Sequence, residues 1–479
     1  MATVTGVTHH PLPIAGERRR TGSAQPITNP YDGSTVATIG VATDADLDDA
    51  IAAAVRAFTG FRAWPRYKRK ELLLGIAARL RERRDAFIEL MIAESGKPRA
   101  YSGVEVDRAV TTFTLAAEES TRTGGEVLPL DLSAATVGYT SIVQRFPIGV
   151  VAAIAPFNFP LNLVAHKLAP AFAVGNTVVL KPPPQAPLSS LLLADACFDA
   201  GLPPDALSVV HAPIPVAQRL ATDERIAMLS FTGSAKAGWH LKSIAGKKKV
   251  VLELGGNAAA VVVADADLAW AAKRCALGSF AQSGQVCIKV QRIFVERPVY
   301  DRFAQLYRDE TKALGVGDPA QQSTVVGPLI DTASADRVES WIGEAVAAGA
   351  TLVSGGVRHG NVIEPTILTQ TKPSMKVESE EVFGPVATLT PVDSIDEAFA
   401  RANETRYGLQ AGVFTFDVRI IAKAFEELQV GGVIANDYPT LRVDNFAYGG
   451  VKDSGFGREG VRYAMDEMTE LKTLVVKYR

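Results

Sequence analysis

The chain has 479 residues, of which 47% are hydrophobic, and a formal net charge of -2 at pH 7. This length predicts two or more domains with sizeable cores, and the near-zero charge gives no electrostatic argument for a nucleic acid or membrane partner. The three cysteines, Cys197, Cys275 and Cys287, lack paired or Cys-x-x-Cys spacing, which argues against a disulfide framework or a metal site and favours a reducing, cytoplasmic location. No apolar run reaches the roughly 18 residues of a membrane span, so small molecules are the expected partners.

The opening stretch is predicted to be helical. Residues 43–46 have the pattern of a helix cap with an acidic first turn, and apolar residues follow at helical spacing. A second helical region follows Pro65, with apolar residues over 72–91 and a stop at Gly96, and a third contains residues 105–110. Residues 125–147 and 471–477 instead alternate as exposed strands do, and by themselves they fit a surface hairpin with a frayed tail.

Short apolar strands alternate with helices from residue 150 onward. A first unit has predicted strands at 150–156, 177–180, 207–211, 228–231 and 249–252, with helices that include 161–174 and 188–200. A second unit beyond Gly256 has predicted strands at 260–263, 292–295 and 432–434. This alternation predicts a parallel sheet in each unit, with ligands at the strand ends and a cleft between two domains.

Two motifs carry the chemistry. Glu253 follows an apolar strand and precedes two glycines, and Cys287 follows the small, polar residues of Ser-Gly-Gln. A thiolate can form a covalent adduct with an electrophilic carbon, and a nearby carboxylate can activate the water that removes it. Most lone cysteines are buried apolar side chains, as we expect for Cys197 and Cys275, and most carboxylates form ion pairs.

The glutamate motif at 252–256 and the cysteine motif at 284–287 resemble those of the aldehyde dehydrogenase family, and the resemblance covers nearly the whole chain. It implies an α/β fold with a Rossmann-like parallel-sheet cofactor domain, a second α/β catalytic domain and a small β bridging arm. The implied cofactor domain is 1–124 with 148–255, the catalytic domain is 256–455, and the arm is 125–147 with 465–479. In this family such an arm pairs across subunits, so the resemblance implies a homo-oligomer, either a dimer or a tetramer.

The resemblance also implies a cofactor, NAD or NADP. The segment 231–238 lacks the G-x-G-x-x-G fingerprint, but it resembles the family's phosphate-binding turn and contains Gly233, Ser234 and Gly238. Lys181 matches the lysine that holds the adenosine ribose. Where many members carry a glutamate this chain has Pro184, which removes a charge that would repel a 2′-phosphate and makes NADP use plausible.

Further residues near the cofactor follow from the same comparison. Glu381 resembles the glutamate that binds the nicotinamide ribose, and Phe383 packs near that ring. The predicted cofactor contacts are completed by Pro156, Phe157 and Leu254. The segment 157–160 resembles the family's oxyanion motif, which assigns Asn158 to the negative oxygen together with the backbone N–H of Cys287.

The substrate is predicted from two arginines. Arg108 falls on the helix that lines the family's substrate tunnel, and Arg442 falls where many relatives carry an aromatic wall. Two guanidinium groups that converge on a cavity favour an aldehyde bearing phosphate, sulfonate, phosphonate or carboxylate. Alternatively, Arg108 pairs with Glu105 or another acid, and Arg442 pairs with Asp444. The predicted substrate contacts also include Phe157, Asn162 and Tyr448, with Tyr448 near the mouth of the cleft.

The sequence therefore predicts a hydrolytic, NAD(P)-dependent dehydrogenase of a small anion-bearing or hydroxylated aldehyde, such as a lactaldehyde or a phospho- or sulfo-substituted aldehyde. Cys287 forms a thioester that Glu253 helps to hydrolyse, and no metal is required. The alternatives are a CoA-acylating semialdehyde dehydrogenase and a non-catalytic nucleotide-binding protein. A cysteine hydrolase is disfavoured because no histidine accompanies the thiol, and His166, His211 and His240 are expected to serve in packing.

Overall fold

A computed structural model describes residues 8–122 and 124–478 of the chain. Its strands form two large sheets, called here the first and second sheet, and a three-stranded arm. The helices are Asp44–Phe61, Arg66–Glu82, Arg84–Ser95, Arg99–Arg122, Asn162–Val174, Leu188–Asp199, Ile214–Thr222, Ala235–Ile244, Leu268–Phe280, Tyr300–Lys312, Thr332–Ala347, Lys376–Ser379, Ile395–Asn403, Val418–Glu427 and Val461–Glu467. Short strands outside the large sheets and the arm are His9–His10, Leu12–Ile14, Glu17–Arg19, Ala24–Thr28, Thr35–Gly40, Gly315–Val316, Thr324–Val326, Arg358–His359 and Val362–Ile363. Within the described ranges, no helix combines the length and apolarity that a membrane crossing needs.

The candidate functional site lies at the carboxyl edge of the first sheet. Its strand order is Leu207–Val209, Thr177–Lys181, Val150–Ile154, Ile226–Thr232, Lys249–Glu253 and Gly455–Phe456. All pairs are parallel except the last. The chain builds outward from Val150–Ile154 to one edge and then returns to place Ile226–Thr232 on the other side. Because the order reverses between these two strands, the loops that follow them diverge and leave a crevice.

The strands of this sheet are buried because they consist largely of apolar residues. Every residue of Val150–Ile154 is buried, as expected for a parallel strand that is covered on both faces. Thr43 caps helix Asp44–Phe61, as predicted. Its hydroxyl and backbone N–H form a capping box with Asp46. The long helix Arg99–Arg122, which contains the predicted helical residues 105–110, packs against Asn162–Val174 and fixes that helix beside the sheet.

The predicted helical region 72–91 is wrong in one respect, because it is two helices rather than one. Arg66–Glu82 ends at Arg83, whose ψ of 18° departs from helical geometry, and Arg84–Ser95 begins at the next residue. Gly96 ends the second helix as predicted. Its φ of 63° lies in the left-handed region that glycine adopts without strain.

The second sheet confirms the predicted second α/β unit. Its order is Thr351–Ser354, Thr366–Thr369, Val386–Val392, Arg292–Glu296, Ala259–Val262, Gln410–Phe414 and Gly432–Ala435. Only the outermost pair, Thr351–Ser354 with Thr366–Thr369, is antiparallel. A buried apolar cluster that includes Phe280, Ile293 and Phe303 joins its helices to its strands.

The arm is an antiparallel sheet in which Tyr139–Pro147 lies between Glu126–Pro129 and Thr469–Lys477. The alternative of a frayed tail is wrong, since Thr469–Lys477 pairs along its whole length, down to Lys477 opposite Tyr139. Apolar side chains nevertheless stay exposed on this sheet, among them Val127 at 69%, Leu471 at 60% and Leu474 at 58%. The domain limits given above stay predictions, although the arm strand itself begins only at Thr469.

Candidate active site

The crevice of the first sheet has the form of a dinucleotide site. Gly233 and Ser234 follow strand Ile226–Thr232, and Ser234 caps helix Ala235–Ile244 by accepting a hydrogen bond from the Ala237 N–H at 3.3 Å. A Cβ atom on Gly238 would lie 2.4 Å from a methyl carbon of Leu254, so only glycine lets this helix approach the sheet. The helix N-terminus therefore points its free N–H groups into the crevice, where they suit a phosphate.

Lys181 and Pro184 lie at the neighbouring strand end. Among the described residues the Lys181 ammonium donates only to the adjacent Pro182 carbonyl, at 3.3 Å, and burial lowers the pKa of this lysine to about 8. Pro184 is exposed. A half-buried cation with one long hydrogen bond to the described residues, near an exposed position without a carboxylate, suits the ribose of a dinucleotide.

Glu381 lies on the other side of the crevice. Its Oε1 accepts the Gly256 N–H at 3.2 Å, and a Cβ atom on Gly255 would lie only 2.1 Å from its other oxygen. Burial raises the pKa of Glu381 to about 7. Phe383 has a φ of 45° and meets Phe157 edge to face, with 5.8 Å between ring centroids. The structure thus brings Glu381, Phe383, Phe157 and its half-buried neighbour Pro156 together, as the sequence predicts.

Cys287 lies on the wall of a cavity of about 340 Å³. Its Sγ is 3.1 Å from the hydroxyl of Tyr448. Burial raises the pKa of the thiol to about 11, and the Tyr448 bond and the Arg442 charge oppose that rise. The predicted position of Tyr448 near the mouth is wrong, because Tyr448 is only 2% exposed and contacts the thiol. Cys197 and Cys275 are buried core residues, as predicted.

Glu253 ends its strand close to this thiol. Neither carboxylate oxygen has a hydrogen-bond partner among the described residues, and the side chain is buried. A Cβ atom on Gly449, the neighbour of Tyr448, would lie 2.9 Å from Glu253 Oε1. Burial raises the pKa of Glu253 well above its usual range, and the nearby Glu459 carboxylate adds to the rise. A buried acid without partners is poised to take a proton.

Both the side chain and the backbone carbonyl of Asn158 form hydrogen bonds. Its Nδ2 donates to the Gln285 carbonyl at 2.9 Å, and its Oδ1 has no partner among the described residues. Its own carbonyl accepts from Lys97 Nζ at 3.0 Å and from the side-chain amide of Gln282. Because an amide nitrogen carries two hydrogens, one of them stays available for a substrate oxygen.

A buried ion pair supports this loop. Lys97 pairs with Glu105, and Glu105 accepts the backbone N–H groups of Leu161 and Asn162, each at 2.9 Å. The carboxylate therefore caps the helix that starts at Asn162, and its charge suits the positive helix end. Glu105 is fully committed to these partners, so it does not pair with Arg108.

Arg108 instead binds Asp444 with two nitrogens, at 2.6 and 3.2 Å. His166 Nε2 lies 2.8 Å from the same carboxylate and Asn162 Nδ2 lies 3.3 Å from it. Burial would raise the pKa of Asp444, but the bonds from His166 and Arg108 hold it well below its usual range. The prediction that His166 serves only in packing is wrong, because its ring orders the acid that holds Arg108 in the cavity wall.

Arg442 also lines the cavity, but its partner is not the predicted Asp444. Its Nη2 donates to Glu459 at 2.9 Å, and its guanidinium lies 3.8 Å from the centroid of the Tyr448 ring. Its Nε is buried without a partner among the described residues. Lys167 donates to the other oxygen of Glu459 at 3.2 Å. The Glu459 carboxylate thus faces two cations, and the charges of Arg442 and Lys167 also act on the nearby Glu253.

The residues that sequence reasoning missed are the buried partners of those it found. They are Lys97, Lys167, Gln282, Gln285 and Glu459, whereas Glu105 and Asp444 were named only as possible partners of the two arginines. The charged ones lie far apart in the chain: Lys97 lies between two helices, Lys167 lies in helix Asn162–Val174, and Glu459 lies between Gly457 and Gly460. A charged residue ordinarily faces solvent. Only the tertiary fold brings each beside a site residue.

Comparison with known proteins agrees with this geometry. The model of the aldehyde dehydrogenase family matches residues 18–474. The 3-sulfolactaldehyde dehydrogenase of Priestia aryabhattai is 42% identical over 477 residues, which cover 99% of this chain and 100% of that protein. The solved aldehyde dehydrogenase 21 from Physcomitrella patens, in complex with succinate, has 43% identity and a TM-score of 0.97, with 99% of each chain covered. The NADP-dependent glyceraldehyde-3-phosphate dehydrogenase from Bacillus halodurans, complexed with NADP, has 35% identity and a TM-score of 0.96, with 98% of this chain and 99% of that chain covered.

The two-sheet fold and these matches define a dehydrogenase that depends on a nicotinamide dinucleotide. The chain belongs to the aldehyde dehydrogenase family. The predicted family, fold class and enzyme class are therefore confirmed. The predicted cofactor, NAD or NADP, is confirmed as well, since solved relatives are in complex with one or the other.

Proposed function

We propose that this protein oxidises a small aldehyde with an anionic or hydroxyl group to the carboxylate, through a thioester on Cys287. One arrangement carries the proposal. The thiol on the cavity wall contacts Tyr448, and the adjoining Gly449 packs on the carboxylate of Glu253, which has no partner among the described residues. A nucleophile on the cavity wall and a buried base behind the adjoining Tyr448–Gly449 segment therefore lie close together, at the edge of a dinucleotide crevice.

The reaction uses these groups in sequence. Cys287 attacks the aldehyde carbon as its thiolate, a C–S bond forms, and the carbonyl π electrons move to the oxygen. Asn158 Nδ2 and the Cys287 N–H donate to that oxyanion, and one such donor typically contributes about 3 kcal/mol. A nicotinamide bound in the crevice supplies the acceptor for the hydride that leaves the adduct carbon. Glu253 then takes a proton from water as the water attacks the thioester, which frees the carboxylate product and Cys287.

We expect the enzyme to accept NADP, because Pro184 places no carboxylate where a 2′-phosphate would lie. The test compares kcat/KM for NADP and NAD with the same aldehyde. Pro184→Glu should lower the NADP/NAD ratio by about tenfold or more through like-charge repulsion, and Gln185→Glu, which adds the same charge one residue later, should change it less. A wild-type kcat/KM for NADP thousands of times below that for NAD contradicts the prediction.

The proposed substrate class rests on two arginines of the cavity wall. Arg108 and Arg442 both line the cavity, and although each has an acidic partner, the Nε of Arg442 is left without one among the described residues. Relatives of 42%, 37% and 36% identity are named for sulfolactaldehyde, sulfoacetaldehyde and lactaldehyde, which are small and carry a sulfonate or a hydroxyl group. An unsatisfied guanidinium donor suits the far end of such a molecule.

Arg442→Ala is expected to raise KM for an anionic aldehyde about tenfold to a hundredfold more than KM for a neutral aldehyde of equal size, because it removes a charged hydrogen bond. The variant also leaves Glu459 with one cation fewer near Glu253, so kcat should fall for both substrates. The ratio of the two KM changes isolates substrate recognition from that shared loss. Equal KM changes for the anionic and the neutral aldehyde would show that Arg442 has only a structural role.

Two alternatives are separated by product analysis. A CoA-acylating dehydrogenase would form an acyl-CoA and require CoA for turnover, whereas hydrolysis assisted by Glu253 yields the free acid without it. A non-catalytic nucleotide-binding protein would produce no NAD(P)H from any aldehyde. The buried carboxylate of Glu253, which has no hydrogen-bond partner in the described part of the chain, favours hydrolysis, since a base in this position serves to activate water.

The assembly and location are part of the same proposal. The exposed apolar side chains of the arm and its open edge strand Thr469–Lys477 support pairing with a second copy, in a dimer or tetramer. The three cysteines are free, and the proposed chemistry needs Cys287 reduced, which supports a cytoplasmic location.

A further inference from the structure

We propose that the Tyr448 hydroxyl is a catalytic hydrogen-bond donor to the Cys287 thiolate. The inference rests on the proposed role of Cys287 and adds a residue that the mechanism above does not use. It begins from the 3.1 Å separation between Tyr448 Oη and Cys287 Sγ. A phenol can donate to a thiolate, which is acceptor only, and it loses no proton in doing so.

The hydroxyl is held in place from several directions. The Tyr448 N–H donates to the Glu459 carbonyl at 2.9 Å, and the Glu459 N–H donates back at 2.7 Å, so the backbone is fixed on both sides. The Arg442 guanidinium lies 3.8 Å from the centroid of the Tyr448 ring, and the centroid of the Phe446 ring lies 6.3 Å from it. The side chain is only 2% exposed, which limits the access of bulk water to its hydroxyl.

The charged groups around the thiol make such a donor useful. Burial raises the pKa of Cys287, and the carboxylates of Glu381 and Glu253 also raise it. Arg442 and the Tyr448 hydroxyl oppose these effects. Burial also raises the pKa of Tyr448 well above its usual range, so Tyr448 keeps its proton while Cys287 ionises and its proton passes to solvent. Other charges on the cavity wall, on Arg108 and Glu105, are neutralised by their own partners.

The experiment measures the pH dependence of Cys287 alkylation by iodoacetamide in the free full-length enzyme, with mass spectrometry to locate the label. Cys197 and Cys275 are buried and should not react. In Tyr448→Phe the apparent pKa of Cys287 should rise by about one to two units, because a hydrogen bond to a charged group is lost. A thiolate of higher pKa is also the better nucleophile, so alkylation should be about three- to tenfold slower near pH 7 yet faster than wild type at high pH.

A matched control is Tyr101→Phe, which removes another hydroxyl from the same cavity wall. Its alkylation profile should coincide with that of the wild type. Thermal melting and size exclusion verify that each variant is folded. An unchanged thiol pKa in folded Tyr448→Phe, with a change only in KM, overturns the proposal and leaves Tyr448 as a wall of the substrate cavity. Because alkylation needs no substrate, this outcome is separate from a failure of Cys287 as the nucleophile, which its own replacement decides.

Discussion

Cys287→Ala is expected to abolish NAD(P)H formation from every aldehyde, with a loss of about 10⁴-fold or more, because the variant cannot form the covalent adduct. The measurement is a single-turnover assay with excess cofactor, which detects even one round of oxidation. The side chain is small and lies on a cavity wall, so its removal should change the melting temperature little.

The chain offers a matched control for this variant. Cys197→Ala and Cys275→Ala remove the same thiol from the two buried positions and should keep near-wild-type kcat in the folded fraction, whatever they cost in stability. Full aldehyde oxidation by Cys287→Ala would refute the thioester mechanism. A residue other than Cys287 would then have to be the nucleophile.

Glu253→Gln is expected to separate the two halves of the reaction. The thiol can still attack and the hydride can still leave, so a pre-steady-state burst of about one NAD(P)H per subunit should remain. Steady-state turnover should fall by about 10²- to 10⁴-fold, the usual contribution of a general base. Mass spectrometry of the denatured variant should then show an acyl group on Cys287.

The pH profile gives a second measurement on the same residue. Burial raises the pKa of Glu253, and only the ionised carboxylate can accept a proton from water. Wild-type deacylation should therefore decline as the pH falls, starting well above the pKa of about 4.3 of an exposed glutamate. Glu253→Gln should lack this acidic limb. Retention of the limb together with wild-type turnover would exclude Glu253 as the base.

The sequence predicted the elements whose signal is local. Continuous apolar strands such as Val150–Ile154, the capping pattern at Thr43 and the stop at Gly96 each depend on a few adjacent residues, and all three are confirmed. The interruption at Arg83 was missed because the apolar spacing of the two helices continues almost unchanged across it. No proline or glycine marks the change of direction.

The site was predicted only as far as its motifs extend. Cys287 and Glu253 lie in recognisable segments, but the partners of Arg108 and Arg442 depend on how the segment after residue 440 folds back over helix Asn162–Val174. Ion-pair partners were proposed from nearness in the chain, at Glu105 and Asp444. In the structure Arg108 pairs with another acid, Asp444, as one alternative allowed, and Arg442 pairs with Glu459 rather than Asp444. Both acids are buried and also contact side chains of helix Asn162–Val174.

The pair of Lys97 and Glu105 has a consequence for how this enzyme can lose activity. One buried carboxylate anchors the start of helix Asn162–Val174, and its lysine partner grips the peptide of Asn158, so the outer helical layer sets the orientation of that amide. Disruption of that layer should therefore first loosen the loop that contains Asn158 and slow the reaction. The enzyme is therefore expected to lose activity before it loses its overall fold.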